Sequence, residues 1–146
     1  MAIKKSETSA GKKKTEAKLN NGKHSLHNVY DECNTHLRSL DFYRQELKYL
    51  QKRLADIVKR NTNPDIMAQA EQFQNQFIIT KDNLDTQNHT IKVQLKTVEK
   101  LIKQKSNHFD EKTLSDSGKF SQSIHNAERD FAALKLRFNK FLSKYL

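Results

Sequence analysis

One short stretch of the sequence carries side chains that could do chemistry together. Residues 33–36 read Cys-Asn-Thr-His, so a thiol and an imidazole are three residues apart. In a helix this spacing places both on one face, about one turn apart, and Glu32 lies one turn before His36. Zinc sites and Cys–His catalytic pairs use these residue types. The stretch therefore has to be weighed as a metal site or as a catalytic pair.

The positions of these side chains favour a structural role. Cys33 and His36 both fall on the face that the apolar pattern predicts to be buried, and a buried thiol is a poor nucleophile. Metal sites in bundles need ligands from several helices. Antiparallel pairing of the first two helices is expected to bring His36 level with Gln87, a poor ligand, while His89 points outward. We therefore predict a core His36 hydrogen-bonded to Gln87, in a polar layer that fixes the register, with no metal or cofactor.

The rest of the sequence offers no other enzymatic motif. Residues 117–119 read Ser-Gly-Lys but lack the upstream glycine of a phosphate-binding loop. No pair of carboxylates falls on an inward face, where burial could separate their pKa values. A packed bundle also offers no obvious concave pocket. We predict that the protein is not an enzyme and has no catalytic residues.

Glycine and proline divide the chain into the elements that position these residues. They are the strongest local breakers, and the chain contains only three glycines and one proline. Asn63 can cap a helix whose first residue is Pro64, where the missing N–H is harmless. The four breakers are Gly11, Gly22, Pro64 and Gly118. The predicted helices span about 25–60, 64–105 and 117–146.

Apolar residues repeat in heptads along each predicted helix, which indicates packed helical faces. In the first helix the two heptad sets are Leu26, Cys33, Leu40, Leu47 and Leu54, and Val29, His36, Tyr43, Leu50 and Ile57. The third helix is rich in Phe, whereas the second is interrupted by Thr80, Gln87 and Gln94. Short connections favour antiparallel neighbours. We predict an all-α, elongated antiparallel three-helix bundle with coiled-coil-like packing; the alternative is a dimer in which long hairpins complete a larger bundle.

The first 24 residues form a lysine-rich segment with almost no apolar residues. Seven lysines against Glu7 and Glu16 give this segment a charge of +5 within the total of +10. It cannot bury enough surface to offset its ordering entropy, so we predict a disordered tail before a helical bundle over 25–146. Clustered lysines attract nucleic acid without reading its sequence. The candidate nucleic-acid contacts are Lys12, Lys13 and Lys14 of the tail and four lysines of the second helix. These four residues, Lys92, Lys96, Lys100 and Lys103, are hereafter called the lysine ridge.

Two observations argue against nucleic acid as the main partner. The tail has no arginine and no aromatic residue for base stacking. The predicted helices also begin with acidic and end with basic residues, as the helix dipole favours, which gives the lysine ridge a structural explanation.

More apolar residues fall at one level of the predicted bundle than a single core requires. They are Phe42, Tyr49, Ile78, Ile79, Leu142 and Tyr145. An exposed cluster of this kind marks an interface, either with a second copy or with another protein. The alternative is that a three-helix core, which needs broader apolar stripes than a two-stranded coil, absorbs them.

Composition narrows the class of protein. Apolar residues make up 35% and charged residues 30% of the chain, values that suit slender helices solvated on one side. A single cysteine fits a reducing compartment, and no apolar run approaches the ~20 residues of a membrane span. We therefore expect a cytoplasmic, non-catalytic interaction or scaffold protein; the alternative is a sequence-nonspecific nucleic-acid-binding protein.

Overall fold

The computed structural model describes the backbone of residues 2–104 and 111–145, and side chains from residue 26 onwards within those ranges. Three α-helices occupy nearly all of it: α1 (Ala2–Arg60), α2 (Pro64–Lys103) and α3 (Glu111–Tyr145). At about 1.5 Å per residue, the 40 residues of α2 extend roughly 60 Å. The predicted all-α class and elongated shape are confirmed.

The turn between α1 and α2 is built as its residues predict. Asn61 closes α1, because its backbone N–H and its side-chain amide both donate to the carbonyl of Ile57, at 3.1 and 3.0 Å. Asn63 caps α2, since its side-chain oxygen accepts from the Asp65 N–H at 2.8 Å. Pro64 occupies the first helical position. This three-residue connection forces α2 to run back along α1.

Side-chain pairs establish the direction of each helix. Arg44 Nε lies 3.0 Å from Asp85 Oδ1 across the antiparallel α1–α2 pair. α3 returns antiparallel to α2 and therefore parallel to α1. In its contacts with α1 the residue numbers of both partners increase together, from Ser117 with Glu32 at 3.1 Å to Lys135 with Glu46 at 2.8 Å. The molecule is the predicted up-down-up three-helix bundle.

The core has an aromatic half and a polar half. Phe73, Phe77, Phe138 and Phe141 form one cluster, in which ring centroids of Phe138 lie 5.3 Å from Phe73 and 5.1 Å from Phe77. Towards the start of α3 the buried residues are smaller and more polar. They include Gln94, Thr113 and Ser117 beside the apolar Val29, Cys33 and Val98.

The beginning of α3 corrects one prediction. Gly118 was expected near the start of a helix over 117–146, but α3 begins at Glu111 and Gly118 lies in its third turn. A helical glycine costs only about 1 kcal/mol relative to alanine, so packing of the rest of α3 tolerates it. A Cβ built on Gly118 would meet no atom within 4 Å, so nothing around it requires a glycine.

The lysine-rich segment belongs to the backbone of α1, which the structure follows from Ala2. Its side chains, including Lys12, Lys13 and Lys14, lie outside the described ones. The described core residues of α1 begin with Leu26, next to the predicted boundary at residue 25. The disorder of residues 1–24 stays a prediction.

Gly118→Ala is expected to raise the free energy of unfolding by about 0.5–1 kcal/mol, because it removes the entropic penalty of glycine without a steric clash. Urea unfolding followed by circular dichroism measures the change. The reciprocal control is Ala133→Gly at an exposed position of the same helix, which should cost a similar amount. A loss of stability in Gly118→Ala would show that residue 118 is not ordinary helix.

Candidate interaction surfaces

Cys33 is a core residue and not a reactive thiol. Its side chain is 3% exposed, and burial, with a smaller effect of Glu32, raises the pKa of the thiol to about 11. At neutral pH the sulfur is therefore protonated and shielded from solvent. Among the side chains described, no three His, Cys, Asp or Glu residues converge as metal ligands would.

The prediction that His36 bonds to Gln87 is wrong. His36 Nε2 lies 3.3 Å from Ser121 Oγ of α3, while the Gln87 side-chain amide donates to Asn83 at 3.1 Å within α2. The Arg44–Asp85 pair explains the error. His36 is eight residues before Arg44 and so is level with residue 93, well beyond Gln87. His89 is exposed, as expected.

A polar layer does exist, but it joins α3 to its neighbours. Ser117 Oγ donates to Glu32 at 3.1 Å, and Ser121 contacts His36 one turn later. The buried Gln94 side chain donates to the Thr113 carbonyl at 3.4 Å. Hydroxyl groups on α3 thus meet polar side chains of α1, which ties the first turns of α3 to one register.

Two aromatic side chains remain largely outside the core on α1. Phe42 and Tyr49 are 56% and 58% exposed, and they lie seven residues apart on the same face. They line a groove of about 340 Å³ between α1 and α3, hereafter the α1/α3 groove. Its other lining residues are Gln45, Glu46, Leu50, Lys135 and Asn139.

Contacts within the protein hold both aromatic rings in place. The Phe42 ring packs edge-on against Tyr43, with centroids 5.7 Å apart, and Tyr43 in turn packs on Phe131 of α3. The Tyr49 hydroxyl accepts from Arg53 at 3.2 Å, and the Arg53 guanidinium lies 6.0 Å from the ring centroid. Both exposed rings are therefore held in defined positions by neighbouring side chains of the protein.

The six residues predicted to form one apolar cluster are divided among several faces. Ile78 is 48% exposed in a groove between α1 and α2, where Leu54 and Val58 also line the wall. Ile79 is 68% exposed, but the next residue along a helix points about 100° away, so the two isoleucines cannot share a face. Phe42 and Tyr49 lie in the α1/α3 groove instead.

Leu142 and Tyr145 lie nearer the end of the bundle than predicted. Leu142 is seven residues beyond Lys135, so it is level with Arg53 and not with Tyr49. It is 7% exposed, and its predicted place in an exposed cluster is wrong. The half-buried Tyr145 packs on Phe141 with ring centroids 5.1 Å apart. Both are absorbed by the core.

Sequence reasoning missed Leu136, which is 58% exposed on α3 between the groove residues Lys135 and Asn139. The signal was present in the sequence. Leu136 belongs to neither heptad set of its helix, as Phe42 and Tyr49 belong to neither set of theirs. An apolar residue that is off the heptad of a bundle helix is a candidate surface residue.

All four members of the lysine ridge are exposed on α2. The antiparallel register places Lys103, eighteen residues after Asp85, level with Leu26, eighteen before Arg44. The ridge and the lysine-rich segment are thus adjacent at one end of the bundle. None of the helices in the described part of the chain is long and apolar enough to cross a membrane.

The free energy of unfolding is expected to decrease as the pH falls through the folded-state pKa of His36. Burial, opposed by Glu32 and Glu128 and assisted by His125, lowers this pKa below the ordinary value of 6.5. The unfolded chain then binds more protons, so the stabilisation is complete above pH 6.5 and is lost on acidification. Urea unfolding between pH 7.5 and 5 measures the trend, which His36→Gln should flatten and the exposed-site control His89→Gln should not. An equally steep trend in His36→Gln would contradict this assignment.

Comparison with known proteins gives no assignment of function. No protein-family model, no curated protein and no solved structure matches the chain. A function has to be argued from the surfaces of the bundle itself, and in the described part of the chain the α1/α3 groove and the lysine ridge both combine exposure with a definable chemistry.

Proposed function

We propose that this protein is a non-catalytic interaction module that binds another macromolecule through the α1/α3 groove. The observation that carries the proposal is the exposure of Phe42 and Tyr49 beside a groove, in a bundle whose core is already filled by other aromatic residues. Burying an aromatic side chain contributes about 1.5–3 kcal/mol, and aromatic residues dominate the energetics of interfaces. A cytoplasmic location is part of the proposal and is supported by the free, buried Cys33.

The spacing and the fixed positions of the exposed side chains in the groove favour binding of a partner. Phe42 and Tyr49 are spaced by two helical turns, and Leu136 faces solvent on the neighbouring helix. Both rings are held by Tyr43 and Arg53, so little side-chain entropy is lost when a partner covers them. Between them lies the ion pair of Lys135 with Glu46, at 2.8 Å, which gives the groove a polar centre.

Replacing both Phe42 and Tyr49 with serine is expected to abolish association while leaving the fold intact, because both side chains are more than half exposed. Light scattering on the full-length protein detects self-association. Capture from a lysate with quantitative mass spectrometry detects other partners. Val93→Ser, at a 51% exposed position of α2, is the matched control. If the double variant retains every association that the control retains, the groove is not the binding surface.

A second function is favoured by the adjacency of the lysine ridge and the lysine-rich segment. The two stretches together contain eleven lysines, seven before residue 25 and four on α2. Such a concentration of charge attracts a phosphate backbone through counterion release. We propose sequence-nonspecific nucleic-acid binding as the alternative role of this end.

If that alternative holds, Lys12→Gln, Lys13→Gln and Lys14→Gln together should reduce the salt dependence of DNA or RNA binding. Each lost phosphate contact lowers the slope of log K against log salt by about 0.9 for duplex DNA. Fluorescence anisotropy at several salt concentrations measures the slope. The control replaces Lys59, Lys140 and Lys144, which have the same charge but lie at the opposite end. Equal effects of the two triple variants would exclude a specific role for the lysine-rich end.

A further inference from the structure

The α1/α3 groove has the dimensions and contacts that suit an α-helix. Phe42 and Tyr49 are two turns apart, about 10.5 Å along the axis, which is the repeat of a packed helical face. Lys135 and Asn139 line the α3 side, and Leu50 is buried at the floor. An extended peptide would need an open strand edge to bond to, and helices with paired backbones provide none.

Basic residues outnumber acidic ones in the sequence around Phe42, Tyr49 and Leu136. Within four positions of Phe42, Tyr49 or Leu136 the sequence contains eight basic and two acidic residues. The basic ones are Arg38, Arg44, Lys48, Lys52, Arg53, Lys135, Arg137 and Lys140; the acidic ones are Asp41 and Glu46. Arg44 and Arg137 are engaged with Asp85 and Gln76 of α2, and Lys135 is paired with Glu46, which leaves five basic residues and Asp41.

The charge of the chain decides between a second copy and another protein. Each copy carries a net charge of +10, and a two-fold interface would bring two basic rims together. Like charges across an interface oppose association, whereas a partner with acidic flanks is complementary. Glu46 does not alter this balance, because its carboxylate is already paired with Lys135 at 2.8 Å.

We propose that the α1/α3 groove binds an acidic amphipathic α-helix of a partner protein, as a fourth helix alongside α1 and α3. This inference rests on the proposed interaction function and names the class of its partner. Apolar residues at heptad spacing on the partner helix contact Phe42 and Tyr49. Its flanking carboxylates lie beside the basic residues at either end of the groove, Arg38 and Arg53 on α1 among them.

The test uses the full chain and synthetic peptides of about three heptads, with Leu at two positions of each heptad and Glu at the flanking positions. One matched peptide has Lys in place of Glu. A second keeps every Glu but has Ser in place of Leu, and it reports simple attraction to the lysine-rich segment. Fluorescence anisotropy gives the dissociation constants. The acidic amphipathic peptide should bind at least about tenfold more tightly than either control peptide.

Substitutions then locate the bound peptide. Phe42→Ser with Tyr49→Ser should weaken binding about tenfold without changing the charge, while Val93→Ser should leave it unchanged. A photo-crosslinking side chain at position 139, which lines the groove, should capture the peptide, whereas one at position 93 should not. Circular dichroism and urea unfolding establish that each variant remains folded, and crosslinking on the otherwise unchanged surface gives a second readout.

Several outcomes would overturn the inference. Equal binding of the acidic and basic peptides, binding by the peptide that lacks leucine, or insensitivity to the groove substitutions would each do so. A dimer disrupted by the same substitutions would make a second copy the occupant. If the acidic peptide fails but the Phe42 and Tyr49 variant still loses partners from a lysate, the interaction function stands and only its partner class is wrong. If the acidic peptide does not bind and the Phe42 and Tyr49 variant loses no partner, both the interaction function and the proposed partner class are wrong.

Discussion

The packing of Phe138 between Phe73 and Phe77 is the contact on which the arrangement of the bundle depends. Phe138 and Phe77 are both 0% exposed, and their rings meet at 5.1 Å in an edge-to-face geometry. Burying such side chains contributes more than any hydrogen bond elsewhere between α2 and α3. The hydrogen bonds of α2 with α3 in this region, Gln76 with Arg137 at 3.4 Å and Gln69 with Tyr145 at 3.5 Å, are long. The aromatic rings therefore fix how far α3 slides along α2, and with it the position of every residue of α3.

The polar half of the core is a consequence of that arrangement. Once the aromatic cluster sets the register, Thr113, Ser117 and Ser121 face the starting half of α1 and the final turns of α2. The Ser117 and Ser121 side chains contact Glu32 and His36, and the Thr113 carbonyl accepts from Gln94. Hydrogen bonds of this kind contribute about 1 kcal/mol each but have strict distance requirements. They refine the register that the aromatic half sets, and they leave room for Gly118 in an exposed turn.

The sequence was sufficient to predict which face of each helix is buried. It was not sufficient to predict which residues of neighbouring helices lie at the same height along the bundle. Leu40, Leu47 and Leu54 were assigned to the core from their spacing alone, and all three are buried. Periodicity contains that information, because residues seven positions apart, about two helical turns, point in nearly the same direction. The partner of His36 and the burial of Leu142 depend instead on the axial offset between helices. Turn geometry and ring packing set that offset, and no heptad pattern encodes it.

The same distinction explains why the groove was only partly predictable. Phe42 and Tyr49 depart from the heptad and could be recognised, whereas their separation from Ile78 and Ile79 could not. In the register of the Arg44–Asp85 pair, Tyr49 is level with residue 80 and so is close in height to the two isoleucines, but it lies on a different face. The height of a residue along the bundle follows from the number of residues between it and the nearest turn. The face of the helix on which it lies follows from a rotation of 100° per residue. On α1 that rotation turns Phe42 and Tyr49 towards α3, while Ile78 turns towards α1 from α2. The apolar groove and the lysine ridge are consequently separate surfaces, one between α1 and α3 and the other on α2, at different heights, so each can be altered without disturbing the other.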